Sequence, residues 1–504
     1  MAEDLKDVFT PSLNGGLNLF DAPADIDGKE LTDMSNLRML NGRLVLDTGF
    51  AEYTAGSPVT GARRLFYDFR KKDGTRQRLL FTQTGLYYQT AGAPTTWVSA
   101  SDAAGTGDFS CTGSLTKPIT AVTWLAEDTV IWTNGIDTVF KYYYNTGTSK
   151  WTCVVVGGLV GAGDDPTVST CASLAIWQDR LFLINTTEGA VDNPHLVRWS
   201  DEADFEAWGL GDGDAGFQYI YDDGGRIVHG EILESYLILY REKSITRLTW
   251  IGSDITLKYQ TLIVSDGILG ARSVAVTSDA HYVVMRRGIF KYSAGVTLEP
   301  IGQKIDQLIV GPGADVDLSK TDYMYGAFMF VQKTLWFSFG TTAGATIFLI
   351  YDLERGTWYR RDLAGLCTSL NVAWQAATNY YHLMTTQTAK VLDYDHATVT
   401  DAGAAMAWYF STKNFAASRF IRSDHIELDA LGTGTVTVQY SLNDGISWIT
   451  FGTFALPAAA VLDLIPYKVF KEISARQIMF KVSGSAGTVK FGSFKLGYYD
   501  ESEF

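Results

Sequence analysis

Five basic residues crowd one short stretch of an otherwise acidic chain. Arg70, Lys71, Lys72, Arg76 and Arg78 surround the pair Asp73–Gly74. Asp-Gly between two alternating apolar runs, RRLFYDF and RQRLLFTQTGLYYQ, predicts a β-hairpin with these charges about its tip. Such a cluster can meet nucleic-acid phosphates or an acidic partner surface, or it can keep a strand end soluble. The expected use is an interface or a DNA-facing edge. Arginine doublets stand at Arg63–Arg64, Arg286–Arg287 and Arg360–Arg361. Neighbours in a strand point to opposite faces, so a doublet is no carboxylate clamp, and these read as solvated strand ends or interface charges. Asp212-Gly213-Asp214 and Asp222–Asp223 offer oxygens for a cation. They lack the spacing and bidentate Glu of a calcium loop, and read as solvated loops. Gly158-Leu159-Val160-Gly161-Ala162-Gly163 runs into Asp164-Asp165-Pro166. A phosphate loop needs a helix N-terminus there. Neither G-x-S-x-G nor H-E-x-x-H occurs, and the six histidines have no ligand spacing. The expectation is no enzyme, no cofactor and no metal.

One stretch does resemble a motif of an enzyme family. Ser441-Leu442-Asn443-Asp444-Gly445-Ile446-Ser447-Trp448 is similar to the Asp-box of sialidases, with Asn443 where that family has Asp and Ser447 where it has Thr. The resemblance implies a folding element in a hairpin turn, remote from catalysis. A sialidase also needs three arginines around a carboxylate and a Tyr–Glu pair, which the sequence does not display.

The segments that position these residues repeat one phrase about every fifty residues. Each repeat is a turn, two alternating aliphatic and aromatic runs, and often a Trp. It reads TAVTWLAEDTVIWTNGIDTVFKYY at 120–143, SLAIWQDRLFLIN at 173–185 and GEILESYLILYREKSITRLTW at 230–250. Units begin near 63, 121, 173, 227, 273, 325 and 369. This predicts an all-β chain built on a β-propeller of about seven blades, to within one. The propeller is expected over 61–403, with a long polar insert near 186–226. Residues 1–60 are expected to be an N-terminal arm: a short helix capped by Asp27, with Glu30 at the capping-box position and Leu31, Met34 and Leu37 on one face, then an Asn41–Gly42 hairpin. Residues 404–504 alternate cleanly between Gly-rich turns and are expected to form a β-sandwich.

Composition narrows the function. The net charge is −15. Specific DNA binding draws much of its affinity from cationic side chains, so this is no DNA grip. An acidic wall instead repels DNA, which suits a conduit. The opening MAEDLKDVFTPS has no basic or apolar leader region, so no secretory signal is expected. Cys111, Cys153, Cys171 and Cys367 make no CxxC and read as reduced, buried thiols of a protein made in a cytoplasm.

The arm and a series of short motifs resemble the tail-nozzle and packaged-DNA stabilisation proteins (tail tubular protein B-like) of short-tailed phages. The arm shows Gly16-Leu17-Asn18-Leu19, Pro23, Ile26, Gly28, Glu30-Leu31, Asn36, Gly42, Leu44 and Gly49. Further on come Arg198-Trp199-Ser200-Asp201, Leu239-Tyr240-Arg241-Glu242-Lys243-Ser244-Ile245, and Gly267 to Ser273 leading to Arg287-Gly288-Ile289-Phe290. Their order along roughly 15–300 carries the resemblance. It implies a virion structural protein forming a ring, typically a hexamer, below the portal and its adaptor ring. There it would extend the DNA channel, help retain packaged DNA and pass it at ejection. A tail needle or plug and fibres or spikes would dock nearby. DNA contact would be transient and non-specific, and no membrane insertion is implied. The competing reading is a glycan-binding or glycan-degrading propeller of the tail. It would need two carboxylates facing one pocket, or aromatics such as Trp408, Tyr409 and Trp448 stacking on sugars.

Overall fold

The computed structural model describes residues 5–10, 12–53, 59–90, 93–161, 166–252, 257–264, 266–311, 314–376, 379–386, 391–394, 398–456, 463–485 and 487–500. Seven antiparallel meanders form a β-propeller. Their first strands are Arg63–Arg70, Thr120–Trp124, Val168–Trp177, Ile227–Leu233, Val274–Val276, Tyr325–Met329 and Cys367–Ala376. Six blades take all four strands from consecutive sequence. The seventh has three, Cys367–Ala376, Asn379–Thr386 and Val391–Tyr394, and its fourth is Phe50–Glu52 from the other end of the chain. Tyr394 pairs with Phe50 and Leu392 with Glu52, antiparallel. The arm therefore ends inside the ring, earlier than position 60. Closing the ring this way leaves no open seam between last blade and first.

Apolar clusters fill the gaps between neighbouring blades. Trp132, Phe140, Tyr142, Leu65 and Phe69 join the first two. Trp124 and Trp208 lie between the second and third, and Trp177, Trp199 and Trp250 between the third and fourth. Trp132 stacks on Phe140 at 4.8 Å and meets Phe81 at 5.0 Å. Each such ring buries a large apolar area in a seam no single blade could fill. The stretch near 186–226 is part strand and part connection, with 200–215 joining two strands. Arg180–Glu188, Val191–Trp199 and Gly216–Tyr219 are the outer strands of the third blade. Most of the stretch's polar, Gly-rich residues lie in the connection 200–215, while Arg180–Glu188 is almost wholly buried.

The first and last parts of the chain share a second unit. Lys6–Thr10 and Arg43–Leu46 both pair with Val489–Asp500, and Asp33–Ser35 pairs with Ala407–Ser411. Ile465–Ser485 pairs with Phe415–Gly432 through its first half and with Ala407–Ser411 and Gly434–Ser441 through its second. It thereby passes from one layer to the other. The layers face each other through Phe410 on Phe491 at 5.3 Å and Phe480 on Phe494 at 5.6 Å. The sandwich expected over 404–504 is thus completed by strands of the arm.

No helix forms at Asp27. The Asp27 amide does donate to Glu30 Oε2 at 3.2 Å, the capping-box bond. But Glu30–Leu31 runs extended beside Gly16–Leu17, and Met34 and Ser35 pair with Phe410 and Tyr409. Leu31, Met34 and Leu37 are each fully buried. Strand partners here outweigh a local signal that fits helix equally well. The Asn41–Gly42 turn forms as expected, with Leu40 opposite Arg43 and φ of 51° and 74° at the two turn residues.

Candidate functional site

Charged and hydroxyl side chains converge on the propeller axis. A cavity of about 320 Å³ there is lined by Tyr67 of the first blade, His229 and Glu231 of the fourth, Arg272 before the fifth, Tyr325 of the sixth and Ser369 of the seventh. His229 and Glu231 are two apart in one strand and so share a face. His229 Nδ1 lies 3.0 Å from Ser173 Oγ, and its Nε2 lies 3.4 Å from Glu231 Oε2. Burial holds the His229 pKa below its ordinary 6.5, which keeps the ring neutral. Burial works to raise the Glu231 carboxyl, but the His229 hydrogen bond, the His229 and His281 rings and the Ile232 amide outweigh it and hold the pKa below 4.5. Glu231 is therefore ionised near neutral pH, with 35% of its side chain still open to the cavity.

Arg272 reaches past the axis to donate from Nη2 to the carbonyl of Ile119, at the start of the second blade. Among the described residues its other guanidinium donors have no protein acceptor, and it makes no direct ion pair with Glu231. Tyr325 Oη and Ser369 Oγ, at 5% and 1% residue exposure, are also without a hydrogen-bond partner. Burial pushes the Tyr325 phenol up to about 12, so it is a hydroxyl at neutral pH. On one face a funnel of about 890 Å³ adjoins this cavity. Val228 and Ala271 line the funnel, and the next residues, His229 and Arg272, line the cavity. Asp192, Glu242 and Asp322 bring three carboxylates to the funnel wall, beside Arg226 and Arg286. Asp192 lies 3.7 Å from Arg226, and burial raises the Asp322 carboxyl.

The five expected interface residues divide. The hairpin forms, with Arg70 opposite Arg76 across the Asp73–Gly74 turn. Arg76 pairs with Asp68, and Arg78 bonds the Tyr53 hydroxyl and lies over its ring at 5.2 Å. Lys71 stands 4.4 Å above Trp151. Arg70 and Lys72 are exposed. The hairpin tip thus presents Arg70, Lys71 and Lys72 outward, while Arg76 and Arg78 are tied down along its strands.

Of the arginine doublets, Arg286–Arg287 is an exposed strand end as expected, but the other two are not. Arg63, Arg64 and Arg361 are buried. Arg63 donates to the carbonyls of Val59 and Gly61, and Arg64 to that of Lys117. Arg361 donates to Asn36 Oδ1 at 2.7 Å, pairs with Asp401, and lies 3.8 Å from Asp47, clasping the arm to the sixth blade. The acidic clusters are also engaged. Asp214 accepts from Arg180 at 2.7 Å, and Asp222 pairs with Arg241. Among the described residues no three His, Cys, Asp or Glu side chains gather as a metal site. Gly158 and Gly161 take φ of 69° and 75° in a turn, and 162–165 lie outside the described residues. Cys153, Cys171 and Cys367 are buried free thiols, and Cys111 is half-buried. The Asp-box stretch forms its turn, with Ser441 Oγ accepting from the Asn443 and Gly445 amides. Trp408 is core, packed on Phe491 at 5.3 Å.

Sequence reasoning missed His229, Glu231 and Arg272 as a group. Arg272 stands inside one of the quoted phage-like motifs but had no role there. The available signal was the His229 and Glu231 pair, two apart in an otherwise apolar first strand; Arg272, just before such a strand, had none.

No family model matches the chain, and no curated protein does. Among solved structures it is similar to Sqt1 of Saccharomyces cerevisiae at 6% identity and TM-score 0.36, covering 68% of this chain and 99% of that one. It is similar to the extracellular domain of the one-component system BT4673 from B. thetaiotaomicron at 12% identity and TM-score 0.41, over 90% of this chain and 62% of that one. An exo-β-1,3-galactanase from Phanerochaete chrysosporium follows at 8% identity and TM-score 0.26, over 79% and 98%. Likenesses this distant leave function to the residues themselves.

Proposed function

We propose that this chain is a virion structural protein of a short-tailed phage, a subunit of a tail-nozzle ring below the portal and adaptor. In that role it extends the DNA channel, helps retain packaged DNA and passes it at ejection. The observation that carries the reading is the ordered series of nozzle-like motifs from Gly16 to Phe290. Several of those residues are the ones that hold the molecule together. Asn18 donates to Glu30, which pairs with Lys304. Asn36 receives Arg361. Gly49 lies so close to the Thr400 backbone that a Cβ would collide with it. A resemblance resting on such residues is one of architecture. Two further features agree. The axial cavity, about 320 Å³, has room for a small molecule and none for a duplex, so DNA would travel through a ring of several copies. The net charge of −15 suits a wall that must not hold DNA. Particles assembled without the protein should package DNA and then leak it. Retention of DNA with normal infectivity rejects the proposal.

One observation favours a second reading, a glycan-binding or glycan-degrading propeller of the tail: Asp192, Glu242 and Asp322 line a single funnel. Turnover of capsule or sialoside substrates by the purified protein, abolished by Glu242→Gln or Asp322→Asn, would select it over the nozzle. No turnover is expected.

A further inference from the structure

The axial cavity holds charges and hydroxyls that the protein itself leaves unmatched. Arg272 spends one donor on the Ile119 carbonyl and keeps the rest free. Glu231 takes the Ile232 amide at 3.3 Å and His229 at 3.4 Å, and the remainder of its carboxylate faces the cavity. Tyr325 Oη and Ser369 Oγ lie buried at the same wall with no partner. An unsatisfied buried polar group costs about 1–3 kcal/mol, so these two hydroxyls, beside a guanidinium and a carboxylate that open on the same void, call for a common occupant. The fixed charges there are one cation and one anion, held apart. The occupant must therefore offer an anion to Arg272 and a hydrogen-bond donor to Glu231, with further polar atoms for the two hydroxyls.

We propose that the propeller axis is a binding site for a small carboxylate whose neighbouring carbons carry hydrogen-bond donors, entering through the adjoining funnel. The ligand carboxylate meets the Arg272 guanidinium, a geometry that planar fork favours. A ligand ammonium or hydroxyl donates to Glu231. Tyr325 and Ser369 take the remaining polar atoms. Hydrophobic contact comes from Leu65, Val274 and Leu370 on the cavity wall. This chemistry is shared by α-amino acids and sugar acids. The site is independent of the tail proposal, and DNA leakage from particles does not bear on it.

The test is titration calorimetry with thermal melting of the full chain, using serine and glucuronate as probes and ethanolamine as the control without a carboxylate. At least one carboxylate should bind at a single site and raise the melting temperature, while ethanolamine does neither. Binding of serine alone assigns the amino-acid source, and of glucuronate alone the sugar-acid source. Arg272→Met should weaken that binding at least about tenfold, with partial recovery in Arg272→Lys. Ser369→Ala removes a hydroxyl that has no partner, so that variant folds with unchanged or higher stability, and its affinity should fall roughly threefold to tenfold. Failure of both carboxylates to bind at roughly 10 mM, or undiminished affinity in Ser369→Ala, overturns the site.

Discussion

Arg361 shows what a single side chain contributes here. Its side chain has no exposed surface, its partners are Asn36, Asp401 and Asp47, and its guanidinium lies 4.8 Å over the Phe50 ring. Asp47 is equally buried, and Asp47 Oδ2 has no hydrogen bond of its own. Arg361→Met would leave Asp47 to Arg38 at 3.4 Å and the Tyr394 hydroxyl, but would take the guanidinium from Asn36 and Asp401, at a cost of about 1–3 kcal/mol. Urea unfolding should show the loss as a lower midpoint. Two buried histidines, His229 at the axial cavity and His281 in the second strand of the fifth blade, give a pH dependence of defined sign. Burial lowers the pKa of both His229 and His281 from 6.5, so the unfolded chain takes up protons first as pH falls. Glu231 opposes this shift at each ring, and Arg272 adds to it at His229. Stability should therefore decline as pH drops through 6.5, by at most roughly 1.4 kcal/mol per pH unit for each histidine. The decline should level off once pH passes below the folded-state values. Melting at pH 7.5, 6.5 and 5.5 reads it, and replacing both histidines by Gln should flatten the profile. Residues of this kind are the hardest to see in a sequence. Arg361 and Arg64 look like the surface arginines that usually stand beside strand ends, and only partners in other elements, Asn36 and Lys117, reveal their burial.

At the scale of elements, the repeat is legible because each blade must alternate buried and exposed side chains to fill two seams at once. Units expected near 227, 273 and 325 have first strands that start at Ile227, Val274 and Tyr325. The strand Val191–Trp199 reads as loop in the sequence because its first half, Val191 to His195, is polar and open to solvent. The helix at Asp27 failed for another reason. Its capping-box bond is real, yet the neighbouring strands supply more hydrogen bonds than one turn of helix could. The strand Phe50–Glu52 carries no local signal, because its role is set entirely by Val391–Tyr394. Phe50 is fully buried and meets Tyr394 at 5.6 Å and Phe348 at 6.3 Å. Phe50→Ala should cost about 3–5 kcal/mol. Because the seventh blade loses its anchor, limited proteolysis should also begin between Val391 and Tyr394 before other blades are cut.

Across the whole molecule, one charged edge stands out on an acidic body. If copies pack around a channel, the hairpin tip of the first blade is the natural place for a basic-to-acidic contact. Neutralising Arg70, Lys71, Lys72, Arg76 and Arg78 should weaken ring assembly. The Arg70, Lys71 and Lys72 changes alone should reproduce most of that loss without lowering the melting temperature, since Arg76 and Arg78 are bound to Asp68 and Tyr53. Sedimentation of the two sets of variants checks this, and unchanged ring formation counts against the interface. The all-β class and the ring were readable from composition and repeat. The shared sheet of the two chain ends was not, because strands such as Lys6–Thr10 and Val489–Asp500 pair across nearly the full length of the sequence.

That pairing has a consequence for how the chain is made. The strand that closes the ring leaves the ribosome early, and its partner follows roughly 340 residues later. At about 5–20 residues per second, the closing strand waits roughly 20–70 s for its mate. Through that interval the first six blades stand as an open arc, with an unpaired edge for a chaperone to cover. A polypeptide released before Val391 can complete neither the ring nor the second unit. Truncated products therefore expose the edge of Phe50–Glu52 that the full chain covers with Val391–Tyr394.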